Sequence, residues 1–81
     1  MKIRLKLFAV GRELAGCNEL AIDLPPGATV NDLRQAVAAA SPALERIVPH
    51  ALWAVGAEYA AGDTVLTEQS EVALIPPVSG G

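Results

Sequence analysis

The chain finishes on Ile75, Pro76, Pro77, Val78, Ser79, Gly80 and Gly81. Of all its residues, the last two have the clearest chemical use. A narrow active-site channel admits backbone but not side chains, and glycine has no Cβ to clash there. Gly81 carries the free carboxylate, which is unreactive until it is activated. Adenylylation by ATP would give an acyl-adenylate, and a sulfur nucleophile attacking that mixed anhydride would leave a C-terminal thiocarboxylate. Pro76 and Pro77 are a stiff spacer that would lift the last residues off the domain. In such a scheme the domain supplies recognition and the tail delivers the reacting atom. Chain ends often fray without consequence, so the reading depends on what the rest of the chain builds beneath the tail.

Other reactive groups are few. Cys17 is the single cysteine, so no intrachain disulfide can form and a reducing, cytoplasmic setting fits. Cys17 has no obvious base near it in sequence and reads as a loop or edge residue. His50 is the one histidine, beside Pro49, and reads as a loop residue. A single histidine and a single cysteine do not make a zinc site, so no metal is expected. The formal net charge is −3 and the sequence pI about 4.9. A nucleic-acid binder usually shows a basic face, and none is indicated. Lys2, Arg4 and Lys6 alternate and so share one strand face. They could dock an acidic partner, or simply be solvated. No stretch approaches the roughly 20 apolar residues of a membrane span, and MKIRLKLF lacks the apolar run of a signal peptide. The protein reads as soluble, with no nucleic-acid or membrane partner.

The elements that must hold the tail come from 81 residues, a length that implies one domain spanning residues 1–81. The composition is 52% apolar with mean hydropathy +0.37, enough for a core, though much of it is alanine. Net stability on the order of 5 kcal/mol is expected for so small a fold. Residues Lys2 to Phe8 alternate, with Ile3, Leu5 and Leu7 on one face, which predicts a half-buried strand. AVGRELAGCNE, punctuated by Gly11 and Gly16, reads as a connection. Glu19 to Leu24 alternates again and predicts a second strand in a long-looped hairpin. Thr29 reads as a helix N-cap, with Asp32 completing a variant capping box. Val30, Leu33 and Val37 then recur at helical spacing, which predicts a helix from Val30 to Ala40. Pro42 opens a short second helix through Ile47, closed by Pro49. Ala51 to Gly56 predicts a strand. A turn around Ala61, Gly62 and Asp63 accompanies a short edge strand, and Glu71 to Ile75 forms the last strand, ended by Pro76 and Pro77.

This order predicts an α+β fold, a mixed sheet with one main helix packed across one face. The layout matches the ubiquitin-like β-grasp arrangement, in which the first and last strands lie parallel at the centre. Ile3, Leu5 and Leu7 would then face inward beside Val72 and Leu74. Phe8 would lie near Ala73 and Ile75 on the uncovered face, fringed by Lys6 and Arg4. Apolar residues on an uncovered face often mark a partner surface. Residues 76–81 are expected to protrude as a flexible Gly-Gly tail from the end of the central strand.

With those residues in view, the sequence resembles the small subunit of molybdopterin synthase, the MoaD family of sulfur carriers. The resemblance covers the whole chain. Its strongest pieces are EVALIPPVSGG, Glu71 to Gly81, and LFAVGRELAG, Leu7 to Gly16, with TVNDLRQAVAA where the family places a helix. The resemblance implies a carrier that is not an enzyme alone and binds no cofactor permanently. A ubiquitin-activating-like adenylyltransferase would use ATP to adenylylate Gly81, and a sulfur donor protein would supply the sulfur of the thiocarboxylate. The charged tail would enter the large catalytic subunit and pass sulfur to cyclic pyranopterin monophosphate, building the molybdopterin dithiolene. The family complex is a heterotetramer of two large and two small subunits. Carried over by position, Gly81 bears the sulfur and Gly80 meets the steric requirement beside it. Pro76, Pro77, Val78 and Ser79 shape the tail. Phe8 and Ile75 are docking residues, and Arg12 is a polar contact to the activating enzyme.

The chain departs from the family pattern at Gly56, where asparagine is frequent, and at Leu74 and Ile75, where aromatic residues are frequent. Three other readings share the sequence features. One is a thiamine-pathway carrier of the same fold, another a ubiquitin-like modifier joined through Gly81 to lysines. The third, of a different class, is an interaction module with an inert tail.

Overall fold

The computed structural model describes residues 1–77. What the sequence predicts for Val78, Ser79, Gly80 and Gly81 lies outside the described residues. Five strands and two helices follow in the order β1 (Lys2–Leu7), α1 (Ala9–Ala15), β2 (Glu19–Asp23), α2 (Val30–Ala40), β3 (Leu52–Val55), β4 (Glu58–Tyr59) and β5 (Val72–Ile75). Two single-turn 3₁₀ segments, Pro42–Leu44 and Val48–His50, link α2 to β3.

The strands form one mixed sheet in the order β2-β1-β5-β3-β4. β1 and β5 are its parallel central pair, with Leu5 level with Val72 and Leu7 level with Leu74. β2 pairs antiparallel with β1, and β3 with β5. Alternation sends Ile3, Leu5 and Leu7 inward from β1 and Val72 and Leu74 inward from β5, all of them buried. Val30, Leu33 and Val37 of α2 close over them, joined by Leu44, Val48, Trp53 and Leu66. No charged or polar residue is buried among the described residues. The Trp53 indole Nε1 is the buried side-chain polar atom there without a hydrogen-bond partner.

The N-terminus of α2 is the strongest local signal in the chain, and the capping box forms as its spacing predicts. The Asp32 amide donates to Thr29 Oγ1 at 3.4 Å, and the Thr29 amide donates to Asp32 Oδ2 at 2.9 Å. The Val30 and Asn31 amides donate to the carbonyls of Thr64 and Gly62, at 3.0 and 2.8 Å. The first turn of α2 is therefore satisfied from within the protein. Replacing Thr29 by alanine is expected to cost about 1 kcal/mol, or roughly 4–8 °C in Tm for a domain of this size. Thermal unfolding followed by circular dichroism checks this, with Thr29→Ser expected to stay close to the parent.

Three expectations are corrected. AVGRELAGCNE contains a helix, α1, where a plain connection is predicted. Gly16 is its left-handed C-cap, with φ 75° and its amide donating to the Arg12 carbonyl. Gly11 lies inside the helix and is buried. The local signal is weak because α1 has no side-chain cap at Phe8 and a glycine mid-helix costs about 1 kcal/mol. The second correction concerns the segment after Pro42, where one 3₁₀ turn replaces a helix through Ile47. Pro49 does not close that piece but lies inside the second turn, Val48–His50. Third, β1 ends at Leu7, and Phe8 becomes the residue preceding α1. The remaining strand ends given by residue differ from prediction by at most one residue.

The docking face and the base of the tail

One face of the sheet is covered by α2, and among the described residues the other is open. Register assigns the residues of the open face. Lys6 lies level with Ala73, Ala73 with Ala54, and Ala54 with Tyr59, forming one row across four strands. One step nearer the tail, Ile75 lies level with Leu52. Phe8 keeps extended backbone, φ −131° and ψ 157°, so it follows the alternation of β1 onto the open face beside Ile75. Phe8 is 47% exposed, Leu52 52% and Tyr59 72%, while Ile75 is half-buried. An apolar band therefore crosses the sheet at the end from which Pro76 and Pro77 depart.

The structure brings the sequence-predicted residues Phe8, Ile75, Arg12 and Pro76 to this one end. Arg12 projects from α1 beside Phe8, and both line a shallow groove with Lys6, Asn18 and Glu19. Pro76 is half-buried and Pro77 exposed. Val78, Ser79, Gly80 and Gly81 lie outside the described residues. Sequence reading missed Leu52 and Tyr59 as members of this face. Leu52 sits beside the buried Trp53, and nothing but the strand register separates the outward residue from the inward one. Tyr59 lies on a two-residue strand, too short to show alternation.

Further from the tail the open face is charged. Lys2, Arg4 and Lys6 line a groove with Glu19, Glu68 and Glu71. Both signs are present, so the face is not the uniformly basic surface that an acidic partner would select. Gly56, where the family pattern favours asparagine, has φ 66° and opens the two-residue turn between β3 and β4. A glycine with positive φ at this first position suits a tight hairpin, so the departure from the pattern is compatible with the fold. Cys17 is a half-buried free thiol. Among the described residues no three His, Cys, Asp or Glu side chains converge on a possible metal position. No helix of the described residues is long and apolar enough to cross a membrane.

A mixed sheet with parallel central strands, a covering helix and an apolar open face below a departing tail defines a ubiquitin-like β-grasp protein. Comparison with known proteins narrows this class. Residues 5–81 match the ThiS family, and the chain belongs to that family. It is 40% identical over 83 residues to the molybdopterin synthase sulfur carrier subunit of Chlamydomonas reinhardtii, covering 100% of both chains. It is 37% identical to small archaeal modifier protein 1 of Haloferax volcanii, covering 94% of this chain and 97% of that one. The crystal structure of that archaeal protein superposes with a TM-score of 0.87 at 36% identity, over 100% of both chains.

Proposed function

We propose that this chain is the sulfur carrier subunit of a molybdopterin synthase. The observation that carries the reading is its full-length, 40% identity to a protein of that name. The apolar band at the base of the tail supports it physically, because a carrier must dock and deliver its terminus in one act. In the proposed cycle the Gly81 carboxylate attacks the α-phosphorus of ATP on an activating enzyme, and pyrophosphate leaves. The terminal sulfur of a donor protein's persulfide then attacks the acyl carbon, and AMP leaves. A thiol cleaves the resulting acyl disulfide, releasing the thiocarboxylate and leaving the donor sulfur in a disulfide. The resulting thiocarboxylate is inserted into the large subunit and gives its sulfur to cyclic pyranopterin monophosphate. The assembled synthase contains two large and two small subunits. The chain supplies no acid, base or metal to these steps. Its contribution is a docking face and a slender terminus.

Intact-protein mass spectrometry after incubation with the activating enzyme, ATP and a sulfur source tests the proposal. The expected result is a shift equal to exchanging one oxygen for sulfur, localised to Gly81. No shift, with an activating enzyme proven on another carrier, would favour the inert-tail module. The family description names the thiamine-type carriers, so the loaded protein is also offered to the large subunit with its pterin precursor. Product formation supports the molybdopterin pathway over the thiamine one. A second reading, a protein modifier, is favoured by the 37% identity to small archaeal modifier protein 1. It predicts conjugates in which Gly81 forms an isopeptide bond with a lysine of another protein, detectable as branched tryptic peptides.

Phe8 provides a sharper test of the docking face. An aspartate at this position would put a charge in the middle of the proposed apolar contact. Phe8→Asp is expected to weaken binding to the large subunit by about tenfold or more. Because Phe8 is 47% exposed, the folded state should lose no more than about 0.5 kcal/mol. Calorimetric titration and thermal unfolding measured together check both halves.

A further inference from the structure

We propose that Gly11 is a positioning residue that fixes the direction in which the tail leaves the domain. The inference rests on the sulfur-carrier reading and extends it to α1, which that reading leaves without a task. The chain leaves β1 through Phe8 and turns at Ala9, the one non-glycine with positive φ among the described residues, at 49°. That turn lays α1 back over the end of β5. Gly11 is the one buried residue of α1. A Cβ at this position would lie 3.3 Å from Leu74 Cδ2, 3.7 Å from Pro76 Cγ and 3.8 Å from Ile47 Cδ1. The helix backbone thus lies directly against the last inward-facing side chain of the central strand and the first proline of the tail.

This contact has a physical consequence. Pro76 has a fixed φ and no amide hydrogen, so the sheet ladder cannot hold it. Packing must orient it instead, and the bare face of α1 at Gly11 is the surface it packs on. The Gly11 conformation is ordinary helix rather than left-handed, so the lack of a side chain serves the close approach and not the backbone angle. An alanine requires the buried Leu74 Cδ2 to give way by only a few tenths of an ångström. A leucine does not fit, and either α1 or Pro76 must move. A change of angle at Pro76 changes the direction in which the chain leaves the domain. Misplacing a reacting atom by about 1 Å can cost a hundredfold in rate.

The test compares Gly11→Ala and Gly11→Leu with the parent chain in single-turnover sulfur transfer to the pterin precursor on the large subunit. Gly11→Leu is expected to lower the transfer rate at saturation by about ten- to a hundredfold, with affinity for the large subunit within twofold. Gly11→Ala should stay within threefold of the parent. Pro76→Ala removes the same contact from its other side, so alone it should also lower the rate, and added to Gly11→Leu it should cost little more. Such coupling is expected only between residues in contact. Carbon chemical shifts of Pro76 and Pro77 in the free chain report the tail base without any reaction. They should move in Gly11→Leu and hardly in Gly11→Ala. Unmoved shifts, or a Gly11→Leu chain that transfers sulfur at the parental rate, would overturn the inference. So would rate losses from Gly11→Leu and Pro76→Ala that simply multiply in the double variant. A parent chain that never accepts sulfur overturns the carrier reading instead, and the shifts still judge the contact.

Discussion

Deleting Gly81 is expected to abolish sulfur loading while leaving the fold and the binding to the large subunit intact. The deletion is informative because the shortened chain still ends in glycine. Gly80 would then bear the carboxylate, so the kind of functional group and its freedom from a side chain are both unchanged. Only reach is lost, about 3.5 Å for one residue of extended chain. Since errors of about 1 Å already cost a hundredfold, this shortfall should take loading below detection. Folding should not respond, because Leu74 is the last buried core residue among the described residues. The mass-spectrometric loading assay, thermal unfolding and calorimetric titration against the large subunit read the three quantities separately. Substantial loading of the shortened chain would show that the activating enzyme does not measure the tail. Unchanged molybdopterin formation in cells carrying the deletion would favour the inert-tail module.

The second large effect is on stability. Leu5 is fully buried on β1, between Leu20 of β2 and Val72 of β5. Leu5→Ala removes a branched side chain at the centre of the sheet and opens a cavity beneath α2. Such truncations cost roughly 3–5 kcal/mol, a large share of a total on the order of 5 kcal/mol. The variant should be partly unfolded at room temperature and fail to dock for that reason. Leu52→Ala is the matched control, since Leu52 is 52% exposed on the open face. It should change stability by no more than about 0.5 kcal/mol and act, if at all, through binding. Urea titrations of the pair decide the matter, and equal losses in both would mean that the inward and outward faces are misassigned.

The contrast between these two leucines also shows what the sequence could and could not reveal. Ile3, Leu5 and Leu7 alternate with charged residues, so their strand and its buried face are legible directly. The same holds for α2, where Thr29 and Asp32 mark the start and Val30, Leu33 and Val37 mark the buried stripe. The parallel pairing of β1 with β5 follows from element order once the fold class is chosen. α1 is not legible in this way. Its stabilising contact is tertiary, the backbone of Gly11 against Leu74 and Pro76. A glycine inside a seven-residue segment looks locally like a break. Leu52 and Tyr59 were hidden for another reason. Their strands are short, and which residue faces outward depends on hydrogen-bond register with β5 and β3. The reading of the tail rests on residue type alone, whereas the shape of its base at Pro76 required the packing of α1.

The pairing of β1 with β5 has a consequence for how the protein is made. Leu5 is synthesised near the start of the chain, and its central-strand neighbour Val72 arrives almost at the end. The middle of the sheet cannot assemble during elongation. It must wait for a loop spanning most of the sequence to close, a slow kind of step dominated by distant contacts. β2 can pair with β1 early, but the inward faces of both stay uncovered on one side until β5 is inserted. The last strand to be inserted is also the one that carries the tail. A chain that stalls or is cut before Val72 therefore lacks both its central strand and its terminus, and it offers the proposed activating enzyme nothing to recognise. Completion of the fold and presentation of the terminus are a single event.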